Sequence, residues 1–518
     1  MTKQNGNPLT HNRALVSRQS TWRCLGAASL ISLLGCTPAP NNEAESTAAS
    51  TASLGLGELP TQAAASTGES IAWVEHIIDD PVVAGFGLSG SDGLVVGDID
   101  GDGFDDIVSV HESDSEYDSS EFDPDYIPDA EGHVRIAFRL PGSLNWTNIT
   151  LAEGTEVPAP EDADIADVNG DGFLDVIVAA ELSHLLYLQN PGASGARDAS
   201  AWRRLVLPMT RGNGSYIRVF FADLDADGRP EAIAANKGAQ RPGPEDFARS
   251  TPVSVFSVKG DPLVASNWSE TVLGYYSVPQ NSQPVDIDGD GDLDIVVGTR
   301  GENRLVWFEN RSAAGAFNFI EHAIGLVGGS AAGFNLDYAD IDGDGRLDII
   351  TAIGAATLPS TLAWLQQPAT KDAAWISHPI GSIAPDSVTG ISVADIDGDG
   401  DLDTFVGSYS SGSREDDGDV EASDALGRLA WFENPGAAPT NQWRRHDVSR
   451  RKRGMFDKFV VSDIDEDGDL DLYGTRGNSA PYDGVFWLEQ RRRPGPQQRF
   501  TPARASESPE MPLPFLAE

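Results

Sequence analysis

Seven short acidic stretches recur along this chain, each close to Asp-x-Asp-x-Asp-Gly-x-x-Asp. Position 1 is Asp98, Asp167, Asp223, Asp286, Asp340, Asp395 and Asp463. Position 3 is Asp100, Asn169, Asp225, Asp288, Asp342, Asp397 and Asp465. Position 5 is Asp102, Asp171, Asp227, Asp290, Asp344, Asp399 and Asp467, and position 9 is Asp106, Asp175, Glu231, Asp294, Asp348, Asp403 and Asp471. So many like charges at this spacing repel strongly unless a cation lies among them. Side-chain oxygens at positions 1, 3, 5 and 9 wrap a hard cation, and glycine at position 6 permits the sharp turn. The backbone carbonyl of position 7 can complete the set: Phe104, Phe173, Arg229, Asp292, Arg346, Asp401 and Asp469. The expected ion is calcium, up to seven of them. The expected role is structural, because a donor set that saturates the ion leaves no open position for a substrate.

These loops are not EF-hands. An EF-hand needs a glutamate at position 12 and helices on both sides. Here position 12 is Ser109, Val178 or Val297, and strand-like runs such as Ile295-Val-Val flank the loop. The ion is therefore expected in a hairpin between two strands.

The loops start 54 to 69 residues apart, a period that signals an array or a propeller. Two more strands recur in each unit. One is aromatic with a polar end: Trp307-Phe-Glu-Asn310, Trp431-Phe-Glu-Asn434, Trp364-Leu-Gln-Gln367, Trp487-Leu-Glu-Gln490 and Tyr187-Leu-Gln-Asn190. The other begins with an aromatic residue and carries histidine three positions on: Trp73 with His76, Phe319 with His322, Trp375 with His378, Trp443 with His446. Ile149 and Leu205 fill the histidine slot elsewhere, so these histidines read as packed rather than ligating. Four strands per unit make a propeller blade. The first Trp–His strand precedes the first loop, and no fourth strand is evident after the seventh. The fold class is thus all-β: a seven-bladed β-propeller of four-stranded blades, closed by the N-terminal strand, which leaves no raw edge.

Over residues 71–490 the chain resembles the FG-GAP/VCBS repeat family, whose propeller is similar to the head of integrin α subunits. Only Gly85-Phe86-Gly87 keeps the literal start of the FG-GAP signature. The resemblance implies calcium between blade strands 1 and 2. Members serve as adhesion and glycan-binding modules and, in some cases, as sugar-processing enzymes, so the fold does not fix one function.

Residues 1–35 read as an export signal: Lys3, Arg13, Arg18 and Arg23 precede a short apolar run that ends Leu33-Leu34-Gly35-Cys36. This resembles a bacterial lipobox, with Cys36 lipidated as the mature N-terminus; the alternative is a plain cleaved signal with an incidental cysteine. Thr37 follows, which by the family rule favours outer-membrane sorting. The expectation is an exported outer-membrane or cell-surface lipoprotein, on the membrane through its lipid. The only other cysteine, Cys24, leaves with the signal, so no disulfide forms within the chain. Residues 36–70 read as a disordered tether and 491–518 as a flexible tail. A net charge of −44 makes nucleic acid an unsuitable partner. Acidic runs at 112–131 and 415–424 read as solvated insertions. The basic clusters at 444–453 and 491–493 read as pairing internally. The chain is expected to be monomeric.

No standard catalytic motif is present: no His-Glu-x-x-His, no Gly-x-Ser-x-Gly and no phosphate-cradling glycine loop. Ligand binding is expected at the end opposite the acidic loops, where the second strands deliver His111, Glu181, Lys237, Arg300, Tyr409 and Arg476. Tyr216, Tyr275 and Tyr276 are possible additions from loops after the fourth strands. Cations, carboxylates and aromatic faces suit a sugar. Two functions follow: a surface module that binds an extracellular glycan or protein, or a lyase- or dehydratase-like enzyme on sugars. In the second, His111, Tyr409 and the arginines supply acid–base chemistry and charge stabilisation.

Overall fold

The computed structural model describes residues 55–113, 132–182, 184–313, 315–354, 361–371, 373–409, 427–451, 455–477, 483–504 and 510–511. They form a seven-bladed β-propeller. Blade one is Ser91–Gly97, Asp106–His111, His133–Arg139 and Trp146–Glu153. Blade two is Pro160–Ala166, Asp175–Ala180, His184–Gln189 and Arg203–Val206. Blade three is Tyr216–Ala222, Glu231–Asn236, Thr251–Val258 and Trp268–Tyr276. Blade four is Pro279–Val285, Asp294–Thr299, Arg304–Asn310 and Phe319–Ile324. Blade five is Leu336–Ala339, Asp348–Ile353, Thr361–Gln366 and Trp375–Ser382. Blade six is Ser387–Ala394, Asp403–Tyr409, Leu429–Glu433 and Arg444–Ser449. Within every blade the strands are antiparallel neighbours in this order.

Blade seven takes Phe459–Ser462, Asp471–Arg476 and Gly484–Arg493 from the C-terminal end, and its fourth strand, Ser70–Asp79, from the other end of the chain. Trp73 pairs with Gln490 and His76 with Trp487. This is the closure that the strand count predicts.

The sequence explains the layering. Second strands such as Asp175-Val-Ile-Val-Ala-Ala180 are buried at every position, because blades cover them on both faces. Fourth strands such as Trp268–Tyr276 are mostly exposed or half-buried, since they form the outer edge of their blades. The core is divided into seven apolar clusters, one for each pair of adjacent blades, including Ile78, Ile107 and Trp487 between blades seven and one. First strands of neighbouring blades run against each other around the axis.

The histidines of the fourth strands lie flat on the third-strand tryptophans. Ring centroids are 4.3 Å apart for His76–Trp487, 4.6 Å for His322–Trp307, 4.4 Å for His378–Trp364 and 4.2 Å for His446–Trp431. Each also bonds the polar residue two positions after the tryptophan, as His446 Nε2 does with Glu433 at 2.6 Å. They are packing residues, as the interchange with Ile149 and Leu205 suggests.

The chain ends depart from expectation. Residues 55–70 and 491–504 are not loose. Leu56, Ala63 and Ala65 are buried, Thr61 N donates to Gln497 O, and Phe500–Thr501 adds a parallel strand outside Trp73 and Val74. The low apolar content of these segments conceals a few small residues that cap blade seven and satisfy each other's backbone. Residues 36–54, 505–509 and 512–518 lie outside the described residues, as do 1–35 with Cys36, and residues 114–131 and 410–426 of the two acidic runs. The basic clusters pair internally where described: Arg445 with Asp447, Arg451 with Glu75 and Arg491 with Glu489.

Candidate functional site

The two ends of the ring carry different chemistry. At one end lie the acidic hairpin loops, all built alike. The position 1 carboxylate accepts backbone N–H groups from positions 5 and 6, as Asp98 does from Asp102 and Gly103, both at 3.0 Å. Position 5 accepts from position 7, as Asp102 does from Phe104 at 3.1 Å. Position 9 is buried and holds two backbone amides, one from position 2 and one from the end of the third strand. Asp294, for example, accepts from Ile287 at 3.2 Å and Asn310 at 2.7 Å. Burial pushes these position 9 carboxyls up, to about 7 for Asp106, Asp294 and Asp348 and about 8 for Asp403 and Asp471.

The turn uses two left-handed residues rather than one. Glycine at position 6 is joined by position 4, with φ of 74° at Gly101 and 72° at Gly343. Loops three and seven place Ala226 and Glu466 there, at φ of 56° and 62°.

The loop residues fit a hard cation by a test independent of the motif. Asp100 Oδ1 and Asp465 Oδ1, both at position 3, are buried with no hydrogen-bond partner. Buried oxygens of that kind are costly unless an ion takes them. Carboxylate oxygens of Asp98, Asp100 and Asp106 approach within 4.8 Å of one another, and loops three, four and five form similar groups from positions 1, 3 and 5.

Among the described residues, four loops are also hooked by an Asn or Gln of the next blade. The Asn310 side-chain amide donates to Leu224 O of loop three at 2.7 Å and to Leu293 O of its own loop at 2.9 Å. Asn190 joins loops one and two in the same way, Gln367 reaches Ile287 O of loop four, and Gln490 reaches Ile396 O of loop six. Position 3 is reached too: Arg197 binds Asp100 at 2.6 Å, and Lys371 binds Asp288 at 2.5 Å. The recurring polar end of the aromatic strand is therefore an inter-blade hook. The repetition of Asn or Gln at that slot is the sequence signal for it.

At the opposite end, most of the expected ligand-binding residues lie in buried contacts. His111 is buried between Ser91 Oγ at 2.6 Å and Ser109 Oγ at 3.1 Å, and desolvation lowers its pKa to about 3. Glu181 and Lys237 form a buried ion pair, and Arg476 is buried against Glu75 and Asp80. Tyr216 is buried in a first strand, and Tyr276 is buried beneath Arg304. All of these sit just inside the strand ends, where neighbouring blades still cover them. Only Arg300, Tyr409 (40% exposed) and Tyr275 (63% exposed) reach solvent. The Arg300 guanidinium lies 5.9 Å from the ring of exposed Phe247, a residue without motif or repeat to mark it.

Near the axis, buried Arg218 donates to Asp457 Oδ2 at 2.6 Å and Asn335 Oδ1 at 2.9 Å. Asn335 in turn bonds Asp457 and Thr389, so four blades are tied by one polar network.

The fold and loops define a repeat β-propeller whose blades carry acidic hairpin turns. Residues 167–234 and 286–351 match the FG-GAP-like repeat, running from the loop of one blade into the second strand of the next. The seven-bladed ring on this plan is consistent with an FG-GAP propeller. No curated protein matches it in sequence. Among solved structures, BBS1N, crystallised in complex with ARL6DN, matches at 12% identity with a TM-score of 0.40, covering 81% of this chain and 97% of that one. The V. cholerae biofilm matrix protein Bap1 matches at 12% identity with a TM-score of 0.39, covering 81% and 91%.

Proposed function

We propose that this protein is a calcium-stabilised recognition module, held at the cell surface by a lipid on Cys36. It binds an extracellular glycan or protein through the end opposite the acidic loops. An FG-GAP propeller supports binding or recognition in general. The observation that carries the finer reading is the contrast between the two ends. The acidic loops engage their carboxylates in backbone and inter-blade contacts, which suits a structural ion. The other end exposes aromatic and guanidinium groups, Tyr409, Tyr275, Phe247 and Arg300, which stack on and fork around sugar or peptide surfaces. Calcium, when bound, offsets part of the loop charge and locks the hairpins.

The sugar-processing alternative loses support from the burial of His111. A base between two serines, with its pKa pushed to about 3, meets no substrate. The test is a polysaccharide and matrix-protein array probed with the parent and with Tyr409→Ala and Arg300→Ala. Retention that falls at least tenfold in the variants supports the reading. Newly unsaturated sugar products in the eluate would establish an enzyme instead. Membrane fractionation of Cys36→Ala tests the anchor, which is wrong if the variant sediments with membranes like the parent.

A further inference from the structure

Away from the acidic loops, Asp92, Glu112 and Glu161 bring three carboxylates together. They come from separate segments: Asp92 from the first strand of blade one, Glu112 from just after its second strand, and Glu161 from the first strand of blade two. One oxygen from each lies within 4.8 Å of the others. All three are buried, at 1%, 8% and 9% exposure.

Two further observations mark the place as built for an occupant. Asp92 Oδ1 is buried and has no hydrogen-bond partner. The backbone is also cleared for the carboxylates. A Cβ at Gly93 would lie 2.7 Å from Glu161 O, and one at Gly477 would lie 2.8 Å from Asp92 Oδ1, so only glycine lets the segments close this far. Glu112 and Glu161 keep other contacts, among them that of Gln240 Nε2 with Glu112 at 3.3 Å, and a carboxylate with two oxygens can hold such a contact and a metal together.

The chemistry narrows the occupant. Three hard anionic oxygens from three segments attract a divalent cation with oxygen preference. Two oxygens on one calcium stand at most about 4.8 Å apart, twice a bond of roughly 2.4 Å, which the cluster satisfies.

We propose that Asp92, Glu112 and Glu161 hold a calcium ion on the ligand-binding end of the ring, distinct from the ions of the seven loops. The site ties blade one to blade two. The proposal does not depend on whether the loops fill, because it is read as a difference between variants.

The experiment is equilibrium dialysis of the full chain against calcium, with bound metal counted per chain, for the parent, Asp92→Asn and Glu161→Gln. Asp340→Asn in loop five is the control for loop binding. Each of the two cluster variants should bind one ion fewer than the parent, and Asp92→Asn combined with Asp340→Asn should show both losses. In chelator, the near-isosteric Asp92→Asn should melt higher than the parent, because it removes a buried like charge. In calcium it should melt lower. An unchanged ion count in both cluster variants overturns the proposal. So does a melting point that falls equally with and without calcium, which would mean that a side-chain cation or a shared proton satisfies the cluster.

Discussion

Asn310 offers the most direct test of how the blades are joined. It ends the third strand of blade four and is buried, with its amide spanning two acidic loops. Replacing it with alanine leaves Leu224 O and Leu293 O without their donor and Ser312 N without the Asn310 Oδ1 acceptor at 2.9 Å. Each buried backbone group left unpaired costs about 1 kcal/mol or more, so Asn310→Ala should lose roughly 3 kcal/mol. Urea unfolding in saturating calcium, followed by tryptophan fluorescence, should show a lower midpoint at an unchanged slope. Asn310→Asp is the sharper variant. It keeps the shape and the acceptor but turns the donor into a second acceptor facing two carbonyls, so it should cost more than alanine. A loss below about 0.5 kcal/mol for alanine, the level of an ordinary surface change, would refute the hook. So would an aspartate variant milder than the alanine one.

Three further outcomes are expected. In chelator, the position 9 carboxyls sit near 7 to 8 when folded and near 4 when unfolded, so folding takes up protons and the metal-free protein gains stability as pH falls from about 8 toward 5. Calcium needs the same groups ionised, so the calcium-loaded protein should lose stability over that range, and parallel melting curves with and without chelator would contradict this. Ala226→Gly should relieve a left-handed alanine in loop three and raise calcium-dependent stability by about 0.5–1 kcal/mol, whereas Gly343→Ala in loop five should lower it by at least as much; calorimetry of both variants checks the pair of signs. Trp73→Ala should cost about 3–5 kcal/mol, and deletion of residues 71–79 should convert the protein to aggregates on size-exclusion chromatography, since blade seven then shows a bare edge.

Much of this was legible because it repeats. Seven loops, seven aromatic strands and a spare Trp–His strand fix the blade number and the closure by counting. A cross-strand register then places His76 on Trp487 without further information. What the sequence hides is singular. Asp92 and Glu161 each stand six residues before their acidic loop, where four other blades place Ile217, Gln280, Phe334 and Thr389, and the packing of Gly93 against blade two brings them together. Most of the expected binding set lies buried for a related reason. His111, Glu181, Lys237 and Arg476 are polar residues at strand ends, which often mean solvent. In a ring of closely packed blades the strand ends still lie between neighbours, so these groups turn inward to bond each other. The left-handed position 4 was hidden because glycine usually fills it, and only Ala226 and Glu466 show what that glycine avoids.

The Trp73–Gln490 pairing also sets an order of events. A chain made from its N-terminus exposes residues 70–79 long before residues 484–493 exist. Six blades can form from local hairpins, but the seventh waits until nearly the whole sequence is available. Bringing those ends together restricts the chain by about 5 kcal/mol for a loop of this length, if nothing else is folded. Prior folding of blades one to six removes most of that cost, because it delivers the ends already side by side. Closure should therefore be the last and slowest step, and the open ring before it the species most exposed to strand exchange with a second copy. On the proposed reading of an exported protein, this stage falls outside the cytoplasm, and calcium bound to the first six loops would set the curvature that lets the last blade shut.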